Sequence, residues 1–204
     1  MGRSDWFKFF SLVLLIFIGG NVVAQSLEKI SLSQENSYRK SAETVVDNYY
    51  STLSVIQDAE GSDKDEIILN AINSSFVDEN VMVCNDLDPT KKTEKYKKIA
   101  DYLGSFDLYY SKSTFEYYIN KKTISKILYS DSDSTDKFLF VKCEVERVVK
   151  ISYNDTVNNV SRDILDTTVL DVYIKFSRGK IGTKIYSIKE HEDNLSELKP
   201  VTID

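Results

Sequence analysis

Between residues 137 and 153 the chain alternates. Leu139, Val141, Cys143, Val145, Val149 and Ile151 share one parity, and Lys142, Glu144, Glu146 and Lys150 take the other. Successive strand side chains point to opposite faces, so this pattern requires a long strand with one buried and one wet face. Residues 163–177 repeat it through Leu170, Val172, Ile174 and Phe176. Long half-buried strands need a second layer over their apolar side, and the N-terminal half supplies it.

From about Ser37 to Glu60 the period is helical, because Tyr38, Ala42, Val45, Val46, Tyr49, Leu53 and Ile56 recur at steps of three and four. Gly61 suits the end of that helix, since glycine takes the left-handed conformation without steric cost. Ser62 and Asp65 resemble a capping box for a second helix that buries Ile67, Ile68, Ala71 and Ile72 and ends near Ser75. Val81–Cys84 reads as a short strand, stopped by the turn residues Asn85–Pro89. A third helix is expected from about Thr93 to Leu103, with Tyr96, Ile99, Ala100 and Leu103 inward. Runs at 107–120, 122–130 and 180–190 complete the strands. Hairpin chemistry falls at Asn120-Lys121, Ser130–Asp136, Asn154–Asn159 and Arg178-Gly179. The expected fold is therefore α+β, with N-terminal helices packed on a curved, mainly antiparallel sheet. One domain spans 37–190, between a polar lead-in at 25–36 and a polar tail at 191–204.

The first 24 residues have the layout of a signal peptide. Arg3 and Lys8 precede an uncharged run from Phe9 to Ile18, and Val22-Val23-Ala24 offers small residues before a cut at Gln25. The apolar run is shorter than the ~20 residues of a spanning helix, and no later stretch is long enough either. The expected product is exported, without a transmembrane segment. The chain holds 32 acidic and 26 basic residues, a formal charge of −6, and losing Arg3, Lys8 and Asp5 makes it one unit more acidic. That balance argues against nucleic acid as a partner. Two cysteines in an exported chain invite a disulfide, but Cys84 and Cys143 lie far apart and are too few for a zinc framework.

The element order and the stretch Phe76-Val77-Asp78-Glu79-Asn80-Val81-Met82-Val83-Cys84-Asn85-Asp86-Leu87 resemble the NTF2-like (cystatin-like α+β cone) superfamily over residues 37–190. The resemblance implies a sheet curled around the first helix, and a pocket between sheet and helices in which an inward His or carboxylate does acid–base work in the enzymes. It also implies that the first short strand lies beside the last. Cys84 and Cys143 would then stand three strand spacings apart, about 14 Å, beyond the roughly 7 Å that a disulfide spans. Two free, buried thiols follow from the resemblance. The leader resembles those of Gram-negative envelope proteins, which implies a periplasmic or secreted address.

Chemistry-bearing residues are sparse. His191, the sole histidine, sits in Glu190-His191-Glu192-Asp193 and reads as a solvated tail residue. Asp166 is the single carboxylate candidate for catalysis, sharing the inward parity of Leu170 and Val172; its plainer reading is a strand-start residue beyond the core. The run Asp131–Asp136 lacks the glycine turn and terminal Glu of a calcium loop. No metal set and no cofactor motif is read. Tyr102, Tyr109, Tyr110, Tyr117 and Tyr118 are candidates for ligand or partner contact, since tyrosine joins flat apolar area to a hydroxyl. Lys91, Lys92 and Lys95, with Lys97 and Lys98, form a basic cluster that a solvated helix face explains and an acidic partner would use. The expected function is a non-catalytic binding module of the envelope, taking an unknown small ligand or envelope protein, with a homodimer left open. The alternatives are an isomerase- or lyase-type enzyme of the same fold, and a structural accessory of a surface assembly.

Overall fold

A computed structural model describes residues 29–87, 94–105, 113–130, 138–155, 160–176, 182–191 and 198–203. The leader and its cut site lie outside them. A short strand, β1 (Lys29–Ile30), leads into α1 (Leu32–Asp58). This helix begins inside the expected lead-in, because Ser31 and Gln34 form a full capping box. Gln34 N donates to Ser31 Oγ at 3.3 Å, and Ser31 N donates to Gln34 Oε1 at 2.9 Å. Ala42, Val46, Tyr49, Tyr50, Leu53 and Ile56 form its buried stripe. Gly61 has φ +56°, but opens α2 (Gly61–Ser75) after a two-residue joint at Ala59–Glu60. The N-cap of α2 is Glu60, without a side-chain cap, so the Ser62–Asp65 box does not form.

The helices pack on a curled seven-stranded sheet of order β3-β2-β7-β6-β5-β4-β8, which is the expected α+β architecture. Its strands are β2 (Met82–Cys84), β3 (Tyr96–Lys98), β4 (Ser113–Ser130), β5 (Leu139–Asp155), β6 (Val160–Phe176), β7 (Thr183–Glu190) and β8 (Leu198–Pro200). The parallel β2–β7 pair joins the short strand to the meander. Cys143, Val172, Ile188 and Val83 lie in one row across β5, β6, β7 and β2. Cys84 is thus three strands from Cys143, and both are buried free thiols.

Three expectations fail, each through long-range pairing. The helix expected over 93–103 is only α3 (Ile99–Gly104), because Tyr96–Lys98 pairs antiparallel with β2. A free β2 edge outweighs a local helical period. The hairpin expected at Asn120-Lys121 is a register shift between Ile119 and Lys121 within one long strand, followed by another between Ile124 and Ile127. Such bulges bend a strand and promote the curl. The polar tail is partly ordered: β8 pairs with β4, and β9 (Thr202–Ile203) pairs in parallel with β1. Val201 between them is buried and donates its N–H to Ile127 O. Pro200 is tolerated because β8 is an edge.

The concave face carries the core. Val141, Cys143, Val145 and Val149 of β5, Leu170, Val172 and Ile174 of β6, and Ile185 and Ile188 of β7 close on the α1 stripe. Each large aliphatic side chain buried there contributes roughly 1.5–3 kcal/mol.

Candidate functional site

The inward parity of β5 is interrupted by one charge. Arg147 stands between Val145 and Val149, directly opposite Thr168 of β6, and its side chain is 1 % exposed. A buried guanidinium requires partners, and the turn after β2 and strand β6 provide them, with tyrosines of three further elements packed behind. Asp86, in the turn after β2, places Oδ2 2.6 Å from Arg147 Nε. Nη2 donates to Asp86 O and to Thr168 Oγ1, each at 3.1 Å. Asp166, two residues before Thr168, brings Oδ2 to 3.1 Å from the same nitrogen. Tyr102 of α3 donates to Asp86 Oδ1 at 2.7 Å, and Tyr117 of β4 donates to Oδ2 at 3.2 Å. Tyr50 of α1 stacks on Tyr117 at 5.7 Å.

The electrostatics hold the arginine and the tyrosines of this network in their protonated forms. Burial is the largest single influence on Arg147 and lowers its affinity for its proton, but Asp86, Tyr117, Tyr102 and Asp166 together outweigh it and hold the guanidinium charged. Burial, then the Asp86 charge, raises the hydroxyls of Tyr50, Tyr102 and Tyr117 far above their ordinary range; for Tyr49 burial again comes first, followed by Tyr50 and Asp86. Asp166 does face inward as its parity implied, and it has a second carboxylate for company. Both are committed to Arg147, which the sequence reading missed. The signal was present: a lone Arg in an apolar inward register.

Tyr102 and Tyr117, expected on a contact surface, are buried at 2 % and 8 % exposure and anchor Asp86. Tyr118 is exposed. Lys95 is half exposed and pairs with Glu190 at 2.9 Å. Tyr109, Tyr110, Lys91 and Lys92, with the Asp131–Asp136 run, lie outside the described residues. Beyond the network, Val77, Met82 and Tyr186, all more than 40 % exposed, share a shallow groove of about 370 Å³ with Asp78, Val81 and Lys189.

On the opposite face of the sheet, Asp171 of β6 is fully buried. Its Oδ2 accepts from Lys142 Nζ at 3.1 Å, and its Oδ1 lies 3.1 Å from Nδ1 of His191, just past β7. Glu144 Oε2 is 3.5 Å from the same nitrogen. These three are the metal-capable set among the described residues. His191 is solvated, as expected, but it is not a loose tail residue: its backbone N–H donates to Val169 O and extends the β6–β7 ladder.

No protein-family model and no curated protein matches the chain. Among solved structures it is similar to the intermembrane space region of the chloroplast protein ARC6, at 15% identity and TM-score 0.39, over 74% of this chain and 96% of that one.

Proposed function

We propose that the chain is an exported, non-catalytic interaction module of the cell envelope, with NTF2-like architecture. The observation that carries this reading is the state of the interior carboxylates. A general base needs a free lone pair within reach of the proton that it takes. Asp86 and Asp166 instead neutralise Arg147, and the tyrosines around them hold their protons. The interior behaves as a structural plug, which leaves binding to the surface.

The groove beside β2 and β7 is the proposed contact, because three large apolar side chains stand exposed together there, rimmed by one acid and one base. Tyr118 and Lys95 are further proposed contact points, and a partner engaging Lys95 has to displace Glu190. A photo-reactive residue at Met82 is expected to give a discrete crosslinked product in the native envelope fraction, whereas the same residue at exposed Leu69 gives none. Tyr186→Glu is expected to abolish the Met82 product. Equal crosslinking from both positions would overturn the groove assignment. Should a turnover activity be found, Asp166→Asn is expected to leave it intact, and a 100-fold loss on a folded variant would revive the enzyme reading.

A further inference from the structure

We propose that Glu144, Asp171 and His191 form a site for one divalent transition-type cation, zinc by the character of its ligands, on the outer face of the sheet. Glu144 and Asp171 are direct cross-strand partners on β5 and β6, so their carboxylates share a face. Like charges placed opposite one another are unfavourable unless something lies between or beside them. Lys142 attends only the far oxygen of Asp171. The near oxygen and Glu144 both face the imidazole, and the backbone bond from His191 to Val169 fixes where that ring stands.

The spacing is already close to what a metal needs. The ligand atoms lie within 4.8 Å of one another, with Nδ1 at 3.1 Å from Asp171 Oδ1 and 3.5 Å from Glu144 Oε2. Four-coordinate zinc, with bonds of about 2.0–2.2 Å, sets its ligand atoms roughly 3.3 Å apart. Glu144 is about one-third exposed, so its side chain can close the remaining gap without backbone movement. On binding, the ring hydrogen moves to Nε2 and the metal occupies the space between Nδ1 and Oδ1. Lys142 then serves as the outer hydrogen bond that orients a ligating carboxylate. Lys189 of β7, the other cross-strand neighbour of Asp171, stands on the same face, so a dication here is held by direct ligation and not by a surplus of negative charge. The imidazole nitrogen selects zinc over calcium or magnesium, which prefer all-oxygen shells. Because His191 is about half exposed, the fourth position opens outward, to water or to a partner's side chain.

Zinc chloride titrated calorimetrically into the full, tag-free chain is the test. One equivalent per chain is expected, with affinity lowered at least about tenfold in His191→Ala and in Glu144→Gln. Both side chains are partly exposed, so neither variant endangers the fold. Cys84→Ser is expected to bind as the parent does, and cobalt is expected to give a four-coordinate spectrum without thiolate charge-transfer bands. Absence of stoichiometric binding would overturn the proposal. So would binding that survives Glu144→Gln unchanged yet vanishes in Glu192→Gln, since that pattern places the metal on the tail acids.

Discussion

Among the described residues, two charged side chains are sealed into this sheet, one on each face. On the concave side, the closest counter-ion of Arg147 is itself sealed: Asp86 is 2 % exposed and covered by Tyr102 and Tyr117, and only the second carboxylate, Asp166, reaches solvent. On the convex side, Asp171 is as deeply buried, but Lys142, Glu144 and His191 all keep access to solvent. A buried charge with buried partners cannot exchange them without opening the core, so it specifies the fold. A buried charge with partly exposed partners can trade one of them for a ligand. The inner cluster is thus expected to govern stability, and the outer one to govern binding.

The sharpest way to break this contrast is Arg147→Met. Removing one member of a buried pair strands the other, and a loss of about 3–5 kcal/mol is expected in urea unfolding. Adding Asp86→Asn to Arg147→Met is expected to recover part of the loss, since the stranded charge is gone. A single variant as stable as the parent would show that the inner cluster does not hold the fold. Tyr102→Phe comes next. It removes a hydrogen bond to a charged acceptor, for which roughly 1.5–3 kcal/mol is expected. Tyr117→Phe should cost less, because its bond to Asp86 is longer, 3.2 Å against 2.7 Å.

Alkali sharpens the comparison through groups of the inner layer. Burial above all pushes the thiols of Cys84 and Cys143 up to about 12 from the ordinary 9.0. A group with a raised folded value loses protons first in the unfolded chain, so stability is intact below about pH 9 and falls between there and pH 12. Absorbance of tyrosinate is expected to show Tyr49, Tyr50, Tyr102 and Tyr117 ionising only as the circular dichroism of the fold is lost. Iodoacetamide at pH 8 is expected to leave both thiols unlabelled until denaturant is added. The smallest effect belongs to His191→Ala, whose unfolding free energy should fall by no more than about 1 kcal/mol, because the ring is half exposed and Lys142 still attends Asp171. A large loss there would make the outer cluster structural after all.

Part of this site was legible in the chain. Parity allows Asp166 to face inward, but its plainer reading is a strand-start residue beyond the core; it lies instead within β6 and pairs with Arg147. Its meaning was not legible, because Arg147 was passed over among the valines of β5, and Asp86 looked like one more turn residue between Asn85 and Leu87. Asp86 lies 61 positions from Arg147 in sequence, and no local pattern marks them as a pair. His191 was legible only in part, for a similar reason. Its acidic neighbours suggested a solvated tail, and the side chain is solvated, while the deciding contacts come from β5 and β6.

By itself the sequence determined the layers. The period of two over 139–151 and the three-four stripe from Ala42 to Ile56 each follow from geometry repeated residue by residue, so they can be read from any short window. The capping box at Ser31 and Gln34 is equally local, although residues 25–36 read as a polar lead-in and the helix as starting near Ser37. Only the tertiary structure decided that Tyr96–Lys98 is a strand, that Asn120 lies at a bulge instead of a hairpin, and that the tail returns to β4 and β1. It also decided which charges are plugs and which stand ready for a ligand. Those outcomes depend on what an edge, a bulge or a buried charge meets from elsewhere in the chain, and a backbone group or ion taken out of water is stable only when that distant partner arrives.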